Sequence, residues 1–184
     1  MVLMLTLLTA INSYYLKDTQ QKINEQETTT QANLIIKDVR YHIVQIQQFL
    51  TDVSATSDQG GFDEAQQNAD NAFLKTSELL KLLPSSRNEL DSIKSQIEQL
   101  HAIGREMAYA YIEKGQEQGN LIMKRPQTGF DDTSATLAQQ LDDFSGRLSE
   151  QLFSHIEQTH DSIDMAKNLV IWLTIAVLVT LGAI

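Results

Sequence analysis

Apolar side chains recur along this chain at alternating steps of three and four residues, which is the spacing of one buried face of a helix. Four such stripes can be traced. The first consists of Ile35, Val39, His42, Ile46, Phe49, Val53 and Thr56, widened by Ile36, Ile43 and Leu50. The other three consist of Phe62, Ala65, Ala69, Ala72, Phe73, Leu79, Leu80 and Leu83; of Leu90, Ile93, Ile97, Leu100, Gly104, Met107 and Tyr111; and of Leu137, Leu141, Phe144, Leu148, Leu152, Ile156, Thr159 and Ile163. Since strand-like alternation is missing, the pattern predicts an all-α fold, an antiparallel up-down-up-down four-helix bundle.

Helix-breaking and capping residues separate the four stripes. The segment 57–61 carries two glycines, which we expect to supply the left-handed backbone of a turn. Pro84 ends the second helix, and one of the two serines after it can cap the third helix in a capping box with Glu89. The segment 120–136 contains a proline and a glycine and is predicted to be the longest irregular connection. The Asp-Asp-Thr-Ser sequence that begins at Asp131 then offers caps for the fourth helix.

Both ends of the chain are apolar and uncharged over lengths that approach a membrane crossing. Residues 169–184 follow Lys167 without a charge, and residues 1–16 end in a pair of tyrosines before Lys17. Tyrosine, tryptophan and lysine are typical of the membrane interface. We therefore expect a first span at 1–16, an exported domain at 17–166 and a second span at 167–184, with both spans truncated. The alternatives are a secretory signal peptide at the first segment and a buried helix of a soluble protein at the last one.

The charge balance indicates on which side of the membrane the middle of the chain lies. The sequence has 14 Lys and Arg against 24 Asp and Glu, a formal net charge of −10. Few basic residues are expected of a translocated loop, so we place this domain outside the cytoplasm, between the two spans. An acidic domain has no electrostatic reason to bind nucleic acid or anionic lipid. Without cysteine, the chain has no disulfide and no thiolate ligand.

The inventory of reactive side chains does not predict an enzyme. None of the four histidines belongs to a His-x-x-x-His pair, and the sequence has no glycine-rich phosphate loop. We accordingly predict no catalytic residues, no metal and no cofactor. His42 and His101 are expected to be hydrogen-bonded inside the bundle; the alternative is that they form a ligand pair for a metal or haem.

Polar residues beside the first stripe are the candidates for ligand binding. They lie near the end of the first helix at helical spacing, and Asp52 is placed unfavourably for the helix dipole there. The predicted ligand-binding residues are Arg40, Gln45, Gln48, Thr51 and Asp52. The same flank could instead be a solvated surface or the seam of a homodimer.

The order of these segments resembles the periplasmic sensor region of bacterial methyl-accepting chemotaxis receptors of the four-helix-bundle type. The resemblance covers the whole chain in architecture and is more specific over 46–69, IQQFLTDVSATSDQGGFDEAQQNA. In such receptors the second span leads to a HAMP relay and a signalling coiled coil that controls a histidine kinase. Members that sense aspartate place several arginines on the first helix. Here that helix has only Arg40, with Lys37 nearby, so the amino-acid pocket is not carried over.

The resemblance implies signal transduction: a homodimeric sensor whose stimulus is a small molecule or a periplasmic binding protein. Occupancy would displace the fourth helix and its span, since packed interfaces switch between discrete arrangements. One alternative is the sensor region of a histidine kinase or a diguanylate cyclase. A second, of a different class, is a structural two-span protein without a ligand.

Overall fold

The computed structural model describes the backbone of residues 2–182 and the side chains of Thr6 and of residues 9–179. Within the described backbone the chain is helical almost throughout and has no strand, which confirms the all-α prediction. The elements are α1 (Val2–Thr56), α2 (Gly60–Leu82), a 3₁₀ turn (Pro84–Ser86), α3 (Arg87–Lys114), α4 (Gln116–Met123) and α5 (Phe130–Gly182).

The helices form two compact units, which are described separately. The central unit is Gln31–Leu148, and the terminal unit consists of Met1–Thr30 and Ser149–Ile184. The predicted domain boundaries at 16/17 and 166/167 refer to the membrane and stay predictions.

An apolar core fills the central unit, with side chains from α1, α2, α3 and α5. Its largest fully buried members are Ile36, Val39, Ile46, Leu50, Leu79, Leu90, Ile93, Ile97, Leu100, Met107, Leu137 and Leu141. All of these come from the predicted stripes, with Ile36 and Leu50 among the positions predicted to widen the first one. The spacing pattern therefore identified most of the core of the central unit, because one face of each helix is removed from water; Thr56 and Phe73, two other stripe positions, are exposed.

The turn between α1 and α2 differs from its prediction. The left-handed residue is Ser57, with φ 61°, whereas Gly60 and Gly61 begin α2. Gly61 has a different role: a Cβ atom there would lie 2.6 Å from Val53 Cγ2 and 3.3 Å from the carbonyl oxygen of Phe49. The glycine thus permits the first turn of α2 to lie against the end of α1.

A second close approach occurs at Gly104, in the middle of α3. A Cβ atom at this position would lie 2.4 Å from Leu50 Cδ1 and 2.6 Å from Phe130 Cε2. Gly104 therefore brings α3 near to α1 and to the first residue of α5, and any larger side chain would push these elements apart.

The connection after α3 is more ordered than the sequence predicts. Gly115, with φ 85°, ends α3, and the additional helix α4 follows it directly. The side chain of Tyr111 lies over Gly119 and donates a hydrogen bond to Asn120 Oδ1 at 2.5 Å. Tyr111 thus supplies α4 with a tertiary contact that local propensity does not reveal. Predicting an irregular segment from residue 120 was wrong for 120–123.

Predictions at the helix starts were wrong in two cases. Ser86 precedes α3, but its side chain makes no capping hydrogen bond, so the capping box with Glu89 does not form. Glu89 accepts a hydrogen bond from Arg147 instead. α5 begins at Phe130, which is earlier than the predicted cap, and Asp132 Oδ2 accepts a hydrogen bond from the backbone N–H of Gln127 at 2.6 Å.

The terminal unit is held by polar contacts between α1 and α5. Gln26 Nε2 donates to Thr159 Oγ1 at 3.0 Å, and Lys22 Nζ donates to Ser162 Oγ at 2.5 Å. Both hydroxyl residues are buried, as is Thr29 on α1. We call Lys22, Gln26, Thr29, Thr159 and Ser162 the polar seam.

The fourth stripe does not continue as core into the terminal unit. Leu148 is buried and Leu152 is half-buried, but Ile156 and Ile163 are each 47% exposed and Phe153 is 71% exposed. Predicting Ile156 and Ile163 as core was wrong because only α1 and α5 meet among the described residues of this unit, which leaves no third element to cover these side chains.

α5 also carries a candidate membrane span. Among the described residues, α5 is the one helix with an 18-residue window that is long and apolar enough to cross a bilayer, by length and composition. Only 6% of that window is buried within the chain, unlike the core helix of a soluble domain. The predicted first span, 1–16, falls partly outside the described side chains, and the backbone of residues 2–16 is part of α1.

Candidate functional site: two surfaces of the central unit

The five predicted ligand-binding residues of α1 do not all lie on the same surface. Gln48, Thr51 and Asp52 line an open depression of about 580 Å³, together with Val44, Gln47 and Ala55. The three predicted residues in this group lie on one helical face, as their spacing indicates.

The other two predicted residues lie outside the lining of the depression. Gln45 Nε2 donates a weak hydrogen bond of 3.4 Å to Gln48 Oε1 at its border. Arg40 forms an ion pair with Asp142 of α5, so its guanidinium already has a carboxylate partner within the chain. A ligand carboxylate would have to compete with Asp142 for Arg40. The binding role of all five residues stays a prediction.

A second surface, between α2 and α3, was not predicted. It is a groove of about 660 Å³, which we call the α2–α3 groove. Its lining consists of Gln66, Ala69, Asp70, Phe73, Leu74, Ser77, Ile97, Glu98 and His101. Phe73 was predicted as core, but it is 38% exposed and its ring forms part of this wall. A concave site with an apolar wall and a few polar groups is the usual form of a small-molecule site.

Carboxylates lie on both sides of this groove. Asp70 is contributed by α2 and Glu98 by α3, and both residues are exposed. Asp70 Oδ1 accepts a hydrogen bond from Gln66 Nε2 at 2.9 Å, which fixes this carboxylate by a partner one helical turn earlier. The groove is therefore apolar at Phe73 and acidic on both rims.

His101, which also lines the groove, has one ring nitrogen without a hydrogen-bond partner. Its Nε2 atom is buried and makes no hydrogen bond within the chain. Burial lowers the pKa of His101 below its ordinary value; the nearby Arg105 cation lowers it further, and Asp70 opposes the shift. The imidazole is thus neutral at pH 7 and has one unsatisfied ring nitrogen.

The two basic side chains beside the groove, Lys94 and Arg105, each lie over an aromatic ring of the chain. Lys94 Nζ lies 4.7 Å from the centre of the Phe73 ring. The guanidinium of Arg105 lies 5.7 Å from the centre of the Phe62 ring and 5.9 Å from that of Tyr109, and these two rings stack with 4.5 Å between their centres. Cation–π contacts of this kind hold Lys94 and Arg105 in place at the groove's margins.

The histidines have different surroundings. His42 Nδ1 lies 2.8 Å from Asn68 Oδ1, in a hydrogen bond between α1 and α2. His155 Nε2 lies 3.9 Å from Glu25 Oε2 in the terminal unit. Within the part of the chain that the structure describes, no group of three or more His, Asp or Glu side chains is arranged to hold a metal ion.

The sequence contained one signal for the α2–α3 groove. Glu98, His101 and Arg105 recur at steps of three and four beside the buried stripe of α3, so they share one helix flank. The opposite wall could not be inferred from spacing, because the rotation of α2 against α3 depends on how their cores pack.

Comparison with protein-family models, with curated proteins and with solved structures finds no match for this chain. Its function is therefore inferred from its own residues and their contacts.

Proposed function

We propose that this chain is the sensor region of a bacterial chemoreceptor, which receives a stimulus outside the cytoplasm and passes it across the inner membrane. The observation that carries the proposal is the continuity of α5. This helix of 53 residues includes core positions such as Leu137 and Leu141 and also the candidate span. A stimulus that changes the packing of α5 in the core is thereby coupled covalently to the membrane.

The proposed architecture is the antiparallel four-helix bundle, with both end helices continuing into spans. Contacts inside the central unit support it: Arg40 pairs with Asp142, and Gln47 hydrogen-bonds Ser134. Residue numbers rise along α1 where they fall along α5, as neighbours of opposite direction require. α4 is then an addition to the connection between the third and fourth helices of the bundle.

The polar seam suits a helix that moves. Hydroxyl and amide groups can exchange partners over short distances, whereas interdigitated leucines resist displacement. A ligand shifts α5 only if it binds the two arrangements with different affinity. We place the stimulus on the depression of Gln48, Thr51 and Asp52, where it is a small molecule or a periplasmic binding protein that docks on a homodimer.

Disulfide locking of the seam tests the transmission step. Residues 1–184 are joined to the signalling region of a chemoreceptor that is established to control a histidine kinase. The activity of that kinase is then measured in isolated membranes. Gln26→Cys with Thr159→Cys locks the observed pair. Gln26→Cys with Ser162→Cys selects an arrangement displaced along α5 by about 4.5 Å, three residues of helical rise. Because residues 1–184 contain no cysteine, the two introduced residues are the only thiols of the sensor region, and gel mobility distinguishes a bond within one chain from a bond between two.

We expect the two locked variants to give different kinase activities under oxidising conditions and the same activity after reduction. A shift in gel mobility measures the locked fraction. Equal activity of the two variants at full oxidation would argue against transmission through α5.

Cysteine crosslinking in the membrane tests the homodimer separately. Single substitutions Gln45→Cys and Asp52→Cys on α1 are expected to yield disulfide dimers readily, since membrane anchoring raises the effective concentration of the two copies. Glu98→Cys and Glu113→Cys on α3 serve as controls. Equally fast crosslinking at the α3 positions would mean that the contact between the two copies does not run along α1.

A further inference from the structure

The α2–α3 groove combines features that together select one class of ligand. It has carboxylates on both rims, an apolar wall of Phe73, Leu74 and Ile97, and the unpartnered Nε2 atom of His101. Phe73 and Leu74 are 38% and 56% exposed, so part of the apolar wall remains in contact with water. Covering these side chains with a ligand would release that water favourably.

We propose that the α2–α3 groove binds a small organic ammonium compound with an aromatic or branched aliphatic portion. The ammonium group lies between Asp70 and Glu98, and the apolar portion covers Phe73, Leu74 and Ile97. This site is separate from the α1 surface and does not depend on the proposed function.

The charges around the groove favour a cation over an anion. Each carboxylate can accept a charge-assisted hydrogen bond, which is stronger than a neutral one. The two basic residues at the margins, Lys94 and Arg105, already lie over aromatic rings of the chain. To bind an anion, Lys94 and Arg105 would have to leave those rings, and both rim carboxylates would still repel the anion.

An organic ammonium group suits this groove better than a metal ion, since within the described part of the chain no group of three His, Asp or Glu side chains is arranged to hold a metal. With its proton on Nδ1, the neutral imidazole of His101 can accept a hydrogen bond on Nε2 from an N–H donor. An organic ammonium group brings up to three such donors and an apolar portion. The groove's volume of about 660 Å³ leaves room for both parts of such a molecule.

Calorimetric titration with phenethylamine tests the proposal directly. The full chain is held in nanodiscs of phosphatidylcholine, and nanodiscs without protein provide the blank. 2-Phenylethanol, which keeps the ring and replaces the ammonium by a hydroxyl, is the matched ligand control. We expect saturable binding of phenethylamine at millimolar concentration or below, and binding of the alcohol at least about tenfold weaker, since loss of a charge-assisted contact corresponds to about one decade.

Two pairs of variants assign the binding to this groove. Asp70→Asn and Glu98→Gln each remove one rim carboxylate, and we expect each to weaken phenethylamine binding about tenfold. Asp91→Asn and Glu113→Gln remove exposed carboxylates of α3 that do not line the groove, and they should bind like the unchanged chain. The control pair measures the contribution of the chain's overall negative charge.

Three results would overturn the proposal: no saturable binding of phenethylamine, equal affinity for the alcohol, or equal weakening by the rim and control substitutions. All four substitutions are isosteric changes at exposed positions, and circular dichroism verifies that the helices are retained. No signalling output enters this measurement. Its failure would therefore leave the chemoreceptor proposal, which the locked chimeras test, unaffected.

Discussion

The central unit and the terminal unit both contain α1 and α5, yet they bury different chemistry. Leucine, isoleucine and valine fill the interior of the central unit, whereas Thr29, Thr159 and Ser162 are the buried side chains among the described residues of the terminal unit. The difference follows from the number of helices. Four helices enclose an apolar interior, while two helices in contact bury only the narrow strip of side chains between them, which is filled here by short hydroxyl side chains that accept or donate hydrogen bonds.

This difference predicts where the protein is rigid and where it can rearrange. Burial of apolar area stabilises the central unit and makes its packing specific. Each neutral hydrogen bond of the polar seam contributes only about 1 kcal/mol net. A unit held mainly by such bonds is expected to open locally at a lower free-energy cost than the apolar core of the central unit.

The largest expected effect is that of a charge in the core of the central unit. Leu100→Asp should lower the free energy of unfolding by about 3 to 5 kcal/mol, because the carboxylate has no partner among the apolar side chains. Ile156→Asp makes a similar change in the terminal unit, where the side chain is 47% exposed, and should cost far less. Thermal unfolding of the full chain in detergent, followed by circular dichroism, measures both. Equal losses would mean that the two units do not differ as described.

Glycine substitutions sharpen the comparison within the central unit. Gly104→Ala should cost about 1 to 3 kcal/mol, since its methyl group would overlap Leu50 and Phe130. Gly146→Ala is the matched control: nothing lies within 4 Å of a Cβ atom there, and alanine favours the helix by about 0.5 to 1 kcal/mol. Denaturant unfolding should move in opposite directions for the two variants. Stabilisation by Gly104→Ala would contradict the close approach of α3.

Smaller effects are expected in the polar seam. Gln26→Leu or Thr159→Val alone leaves one partner without its hydrogen bond, whereas the double substitution replaces both polar groups. We expect each single variant to lose about 1 kcal/mol and the double variant to lose less than the sum. Hydrogen exchange of residues 149–163 reports this local stability. Strictly additive losses would show that Gln26 and Thr159 are not coupled.

The smallest expected effect is a pH dependence from His101. Because its folded pKa lies below the unfolded value of about 6.5, its contribution to stability is complete above that value and is lost as pH falls towards the folded pKa. His101→Gln should therefore lose less stability between about pH 7.5 and pH 5 than the unchanged chain. His160→Gln, at an exposed position, is the control for removal of an imidazole. If His101→Gln and the unchanged chain lost the same stability over this pH range, the assigned contribution of His101 would be contradicted.

The sequence by itself determined the helical class, most of the core and the apolar segment of α5. These follow from periodicity: the residues of one helix face are set by the 3.6-residue turn, whatever lies opposite. Leu100 and Leu141 could be assigned to the core for that reason. The grouping of Gln48, Thr51 and Asp52 was foreseeable too, since all three lie on a single helix.

The tertiary structure decided every feature that depends on which elements meet. Ile156 and Ile163 continue the stripe of α5 but are exposed, because no third helix reaches them. The left-handed residue of the turn is Ser57, whereas Gly61 lies inside α2, where its missing side chain lets α2 approach α1. The α2–α3 groove arises in the same way. Asp70 and His101 belong to different helices, and only the packing of those helices places both residues on one groove; spacing along a single helix carries no information about that.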